Sequence, residues 1–340
     1  GESLLELQEN WEKIGSNLFI LNGDPVKLIP KLAELIKAES IYWNQNIEPY
    51  EINRDKQIID KLTKEKRKVF SYLDQLIIEP NNIKTNSDEP YKVYGPFYRK
   101  WIDIINKSKL TDSNLIKSSP KPTKIIGLKT EAISLIKNSD LKYCTERKNN
   151  AVYDLLSSNK FKNTNLCPCK PGESASIKQL NNFIHSGIIN SYNIARDIPS
   201  IESTSNLSAA LCLGTISCRA VWNGAQTSKK IATDQCQKDS IDTWIKELAW
   251  REFYQNALIN FPELEKGPYR EKWFNFPWQN RPDWFEAWQN GLTGIPIIDA
   301  AMRQLKISGW MHNRCRMIVA SFLVKDLLID WKWGEKFFMK

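Results

Sequence analysis

Histidine is nearly absent from this chain: His185 and His312 are the only two in 340 residues. So small a supply argues against a histidine-based metal centre or a Ser-His-Asp triad, and any chemistry falls to an organic cofactor. The seven cysteines are odd in number and follow no framework, which suits a reducing compartment rather than a disulfide scaffold. Cys167 and Cys169, with only Pro168 between them, stand too close for a usual zinc pair, and no second pair follows. No apolar run reaches about 18 residues, so no membrane span is expected. No signal-peptide pattern opens the sequence, and no internal repeat or low-complexity tract interrupts it. A cytoplasmic location is the expectation.

What the chain has in excess is positive charge. Lys and Arg number 48 against 39 Asp and Glu, a formal +9. That favours a polyanionic partner, although the abundance of Lys, Asn and Ile also fits an AT-rich gene. The length predicts two domains, each with its own core.

Residues 1–101 alternate helix and strand: helices over 3–13, 26–38 and 50–65, strands over 17–21, 40–44 and 68–72. Such alternation predicts a parallel sheet with right-handed crossovers. Residues 102–172 are rich in Lys, Ser, Asn, Thr and Pro and read as a linker with one short helix at most. Residues 173–340 are helical, with patterns over 174–185, 219–225, 240–260, 282–290, 296–307 and 309–328. The fold class is therefore an α/β N-terminal domain followed by an all-α C-terminal domain. Because the chain opens on Gly1 and the α/β part opens on a helix, earlier strands are expected to be missing.

Two helical stretches carry polar groups that a plain core would not choose. Within Trp310–Phe322, Asn313, Arg316, Met317 and Ala320 recur at i, i+3, i+4 and i+7 and share one face, expected to point inward. An amide, a guanidinium and a thioether there suit a pocket for a polar ring; the bland alternative is a core helix with snorkelling arginines. Within Trp244–Tyr254, Glu247, Trp250, Arg251 and Tyr254 share a face in the same way. The indole offers a stacking platform and the carboxylate can accept hydrogen bonds. The bland alternative is an amphipathic helix with a Glu247–Arg251 pair at i, i+4.

Together these stretches resemble the DNA photolyase/cryptochrome family. The likeness runs through 247–258 (ELAWREFYQNAL), 267–278, 293–305, 309–331 and 333–339, extends upstream over 192–214, and reaches 90–101 more weakly. Within the family it is closest to the class I cyclobutane pyrimidine dimer photolyases. The resemblance implies FAD as cofactor, in its reduced form when active. It implies FAD contacts at Tyr192, Thr204, Ser205, Leu207, Ser208, Trp244, Trp310, Asn313 and Arg316. Around Thr204–Ser208 the residue types alone are equally those of an ordinary helix cap.

The family's repair members flip a dimer out of UV-damaged DNA and split it after light-driven electron transfer from the flavin. On that pattern Glu247, Trp250, Asn313 and Met317 are the catalytic-pocket residues, Arg196 and Arg314 clamp DNA phosphates, and Trp278 and Trp331 belong to an electron relay. No metal is implied. The protein is expected to be a monomer, associated with the nucleoid. Asn206 and Ala209 depart from the Arg and Pro usual in the phosphate-binding segment, and Cys212 stands where deazaflavin-binding relatives often have Lys. The antenna chromophore, deazaflavin or methenyltetrahydrofolate, is therefore open. Asn313 and Met317 replace the histidines that repair of (6-4) lesions needs, which favours cyclobutane dimers. Further flavin contacts and the third relay tryptophan would lie beyond Lys340, so the chain is expected to be truncated at both ends. Rival readings are a blue-light receptor that keeps FAD without repair, and an inactive fragment with only salt-sensitive DNA binding.

Overall fold

The computed structural model describes residues 1–110, 117, 122–123, 125–141, 143–144 and 167–339. Much of the expected linker, including most of 145–172, lies outside the described residues.

Helix α1 (Glu2–Lys13) is followed by the short strand β1 (Ile20–Leu21). Helix α2 (Pro25–Leu35) starts where Asp24 caps the Val26 N–H at 3.0 Å, and Pro25 fits its first turn. Strand β2 (Ser40–Asn44), helix α3 (Pro49–Lys64) and strand β3 (Lys68–Tyr72) form one strand–helix–strand unit in which β2 and β3 pair in parallel, Ser40 opposite Lys68. Ile58 and Leu62 of α3 pack with Ala33 of α2 against this pair. β1 does not join that sheet. It pairs antiparallel with β4 (Tyr143–Cys144), so the expected third parallel strand over 17–21 is only two residues long and faces elsewhere.

Helix α4 (Tyr94–Leu110) leaves the α/β part and enters the helical part. Its Phe97, Trp101 and Ile105 are fully buried in one core with Phe183, Trp222, Ile241, Trp244 and Phe253. Helix α5 (Thr130–Lys137) is the short helix of the linker region. The helical part comprises α6 (Glu173–His185), α7 (Tyr192–Ala195), α8 (Ser208–Leu213), α9 (Cys218–Ile231), α10 (Gln235–Asn260), α11 (Pro282–Asn290), α12 (Pro296–Ser308), α13 (Asn313–Ser321) and α14 (Trp331–Phe338). A second core gathers Trp288, Met302, Met311, Val319, Leu323 and Ile329. No described helix is long and apolar enough to cross a membrane.

The helix expected over 309–328 is shorter and broken. Gly309 ends α12 in the left-handed region, where a side chain is disfavoured, and α13 starts only at Asn313. The His312 imidazole Nδ1 caps it by accepting the Arg314 N–H at 3.1 Å. A single π turn over Phe322–Asp326 then closes the segment.

Candidate functional site

Helix α10 is 26 residues long because it is anchored along most of its length. Asp234 caps its start through the Gln237 N–H at 2.8 Å. Trp244, Leu248, Ala249 and Phe253 are buried on the core side. Trp244 meets Phe183 at 5.0 Å between ring centroids. Trp250 is only half-buried and lies flat on Tyr94 of α4, with centroids 3.5 Å apart and planes 5° from parallel.

The polar residues of this helix diverge. Arg251 donates to the main-chain oxygens of Gln75 (2.6 Å) and Leu211 (3.3 Å). Glu247 pairs not with Arg251 but with Arg196, Oε1 to Nη1 at 2.5 Å. The one-turn pair considered from the sequence gives way to this partner from the end of α7, distant in sequence, because Arg251 is committed to backbone carbonyls.

From Arg196 a line of charges leads to the second motif. Arg196 Nε is 3.5 Å from Asp197 Oδ1, and Asp197 accepts from the Arg314 guanidinium at 2.6 Å. Arg314 Nη1 reaches the Met317 sulfur at 3.8 Å, and Asn313 Nδ2 lies 3.9 Å from the same sulfur. Glu247, Arg196, Arg314, Met317 and Asn313 thus form one connected strip. Tyr192 sits beside it, with the Arg196 guanidinium 5.6 Å from its ring centroid.

The electrostatics follow from this crowding. Burial works against the charge on Arg196, but Glu247, Tyr192 and Asp197 outweigh it and hold the guanidinium above its ordinary range. The Arg314 hydrogen bond holds the Asp197 carboxyl below its ordinary value. Burial, then the Glu247 charge, pushes the Tyr192 phenol up to about 12.

Three expectations need correction. The face of Asn313, Arg316, Met317 and Ala320 does not point inward: Asn313 is exposed and Met317 is 54% exposed. The buried residues of α13 are Cys315 and Val319, because these continue to Leu323 as the apolar stripe that meets Trp288 and Met302. Trp310 precedes α13 instead of lying on it, edge-on to His312 at 6.2 Å. Arg316 is turned from the strip and sits over the Phe338 ring at 4.8 Å; burial lowers its pKa.

The segment Thr204–Ser208 is ordered by its own contacts. Thr204 Oγ1 lies 3.0 Å from Asn206 Oδ1, Gln179 Nε2 donates to the Ser205 carbonyl at 3.2 Å, and Leu207 is buried. Asn206 has φ +51°, in the left-handed region. No hydroxyl caps α8, so the ordinary-cap reading fails here. A cavity of about 140 Å³ opens beside this segment, lined in part by Gln179, Asn206, Leu207 and Ala210. A larger cleft of about 710 Å³ lies past the carboxyl ends of β2 and β3, with Asn44, Gln45, Asp74 and Arg219 on its wall.

Trp278 lies against Phe276 at 4.4 Å, and Trp331 opens α14. Their segments meet where the Gln279 N–H donates to the Leu328 carbonyl and the Asp330 N–H to Asn280 Oδ1, both at 2.8 Å.

Sequence reasoning missed Tyr94, Asp197 and Glu252. Asp197 adjoins Arg196, which was a usable hint. Glu252, 3% exposed, sits among the apolar positions of α10 and was visible as the odd carboxylate on that face. Tyr94 carried no local signal. Among the described residues, no group of three or more His, Cys, Asp or Glu is placed to hold a metal.

Comparison with known proteins gives a consistent result. Residues 1–117 match the family model described as DNA photolyase, and residues 244–340 match the FAD binding domain of DNA photolyase. A deoxyribodipyrimidine photo-lyase of Synechococcus sp. is 42% identical over 99% of this chain and 66% of that protein. The crystal structure of a bacterial class III photolyase from Agrobacterium tumefaciens superposes with a TM-score of 0.77 at 32% identity, covering 99% of this chain and 65% of that one. The structure of an archaeal photolyase from Sulfolobus tokodaii with two FAD molecules gives 0.71 at 26% identity, covering 98% and 65%. The chain spans about two thirds of the length of these relatives.

Proposed function

The chain belongs to the DNA photolyase family, and on that premise we propose that it repairs cyclobutane pyrimidine dimers in UV-damaged DNA in a light-driven reaction that uses FAD. The observation that carries this reading is the connected strip Glu247–Arg196–Asp197–Arg314–Met317–Asn313 with the half-buried Trp250 indole on the same helix as Glu247.

Polar atoms beside the FAD-contact candidates fit a ligand with both donors and acceptors. His312 Nδ1 accepts from Arg314, so its Nε2 carries the hydrogen; that N–H is buried and unpartnered, next to Asn313. Asn193 Oδ1, next to Tyr192, is a buried acceptor without a partner. Tyr192, Thr204, Ser205, Leu207, Ser208, Trp244, Trp310, Asn313 and Arg316 would hold FAD. Reduced FAD, when bound and illuminated, would lend the dimer an electron that opens the cyclobutane ring and then returns, so that the reaction is redox-neutral.

The remaining roles belong to the chain's own side chains. Trp250 stacks on the extruded dimer and offsets the cost of flipping it, on the order of 1–3 kcal/mol per base. Glu247 accepts a hydrogen bond from a dimer base, and Asn313 and Met317 line the same pocket. Arg196 and Arg314 exchange their carboxylate partners for phosphates, which position the duplex without reading its sequence. Trp278 and Trp331 act in electron relay. The cleft past β2 and β3, at the carboxyl ends of parallel strands, suits an antenna chromophore with polar ring edges, deazaflavin or methenyltetrahydrofolate.

The test is repair of an oligonucleotide with one thymine dimer, with reduced FAD, in light and in darkness. Repair in light alone is expected. A filled flavin site without repair in light would overturn the reading.

A further inference from the structure

A flat ring has two faces, and Tyr94 covers one face of Trp250. The overlap is close and parallel, 3.5 Å and 5°. The Tyr94 hydroxyl donates to the Lys246 carbonyl at 2.9 Å, one helical turn before Trp250. In a helix that carbonyl also serves the Trp250 N–H, so the phenol is tied to the turn that carries the indole. Phe253 meets both rings edge-on, at 5.9 Å to Tyr94 and 5.8 Å to Trp250. Tyr254 flanks the indole at 5.6 Å and 23°. Behind Tyr94, α4 is fixed by the fully buried Phe97 and Trp101. The indole is thus braced from the α/β side of the molecule by a residue far away in sequence.

We propose that Tyr94 is a positioning residue for dimer recognition: it covers one face of the Trp250 indole and holds the ring in one orientation, so that an extruded base meets a platform already fixed. This rests on the stacking role given to Trp250 above. An unbraced indole must give up rotamer freedom each time a base stacks on it. A braced one has given it up on folding, so the cost is removed from binding. Tyr94 would therefore act on the preference for damaged over intact DNA, not on phosphate contacts.

The experiment measures Kd for one duplex with and without a single thymine dimer, for the wild type and for Tyr94→Leu, Tyr94→Phe and Trp250→Ala. Tyr94→Leu is expected to lower the damaged-over-intact preference about tenfold while intact-duplex affinity is unchanged. Tyr94→Phe keeps the stack and loses only the hydroxyl, so it is expected to stay within about twofold of wild type. Incorporated 5-fluorotryptophan gives an independent readout. The Trp250 ¹⁹F resonance, assigned by its loss in Trp250→Phe, should move in Tyr94→Leu and hold its place in Tyr94→Phe. If Trp250→Ala abolishes the preference but a folded Tyr94→Leu keeps or improves it, the brace is overturned and the stacking role of Trp250 stands. If Trp250→Ala keeps the preference, the stacking role fails and the brace with it. Should Tyr94→Leu not fold, Tyr94→Met, which fills the space with a flexible apolar chain but cannot stack as a ring, takes its place with the same expected and overturning outcomes.

Discussion

Replacing Trp250 by Ala removes the platform but leaves both arginines in place. Binding to dimer-containing DNA should fall by roughly 1–3 kcal/mol, and binding to intact DNA should barely change. Equal losses on the two duplexes in a filter-binding assay would refute the stacking role. Arg314 makes the complementary case. Its guanidinium is tied to Asp197 at 2.6 Å and is 31% exposed, so it is accessible to a phosphate. Arg314→Ala should weaken binding to damaged and intact duplex alike and flatten the slope of log K against log salt by about one. A change confined to damaged DNA would contradict the phosphate role. At this scale the sequence named the residues but not their partners. Glu247 and Arg196 lie far apart in the chain, and the local spacing of α10 suggested Arg251 in place of Arg196.

Helical elements were legible where glycine and proline punctuate them. β2, β3 and α11 fall at the residues their patterns indicate, because Pro282 and Gly291 bound α11 and the strands are short β-branched and aromatic runs. The 309–328 segment was misread because its cap is an imidazole, outside the usual Ser, Thr, Asp and Asn set, and because a π turn leaves no mark on apolar periodicity. Close packing between elements leaves no room for a side chain at Gly334. A Cβ there would lie 2.6 Å from Leu323 Cδ2 and 3.9 Å from the Trp288 ring, within the second core. Gly334→Ala should therefore destabilise by roughly 1–3 kcal/mol through overpacking, despite alanine's better helix propensity. An unchanged or raised urea midpoint would mean that α14 shifts freely against the π turn.

At the scale of the molecule, one carboxylate joins the α/β part to the helical part. Glu252 of α10 accepts the Ile77 N–H at 2.6 Å, the Ile78 N–H at 3.3 Å and the Trp101 indole N–H at 2.7 Å. Beside it, Arg251 holds the Gln75 carbonyl, and Gln255 Nε2 reaches Gln75 Oε1 at 3.3 Å. The loop after β3, helix α4 and helix α10 are therefore fixed through three residues of α10, Arg251, Glu252 and Gln255. Burial raises the Glu252 carboxyl to about 7, outweighing the three donors and the nearby Arg251. A folded value above the ordinary 4.5 means the folded chain holds this proton more tightly than the unfolded chain. The associated stability is fully present below about 4.5 and is lost as pH rises through about 7. The urea midpoint should decline across that window. Glu252→Gln cannot titrate, so its midpoint should lack that part of the decline, although its amide NH₂ faces donors and lowers the midpoint overall. Glu252→Ala strands three buried N–H groups and should cost roughly 3–5 kcal/mol below about pH 4.5, and less above about pH 7, where the wild type has lost the stability tied to its proton. Because α4 also carries Tyr94, loosening this joint should loosen the Trp250 brace. The damaged-over-intact preference should then fall in Glu252→Gln even where the protein remains folded, and a preserved preference would show that the two contacts between α4 and α10 act independently.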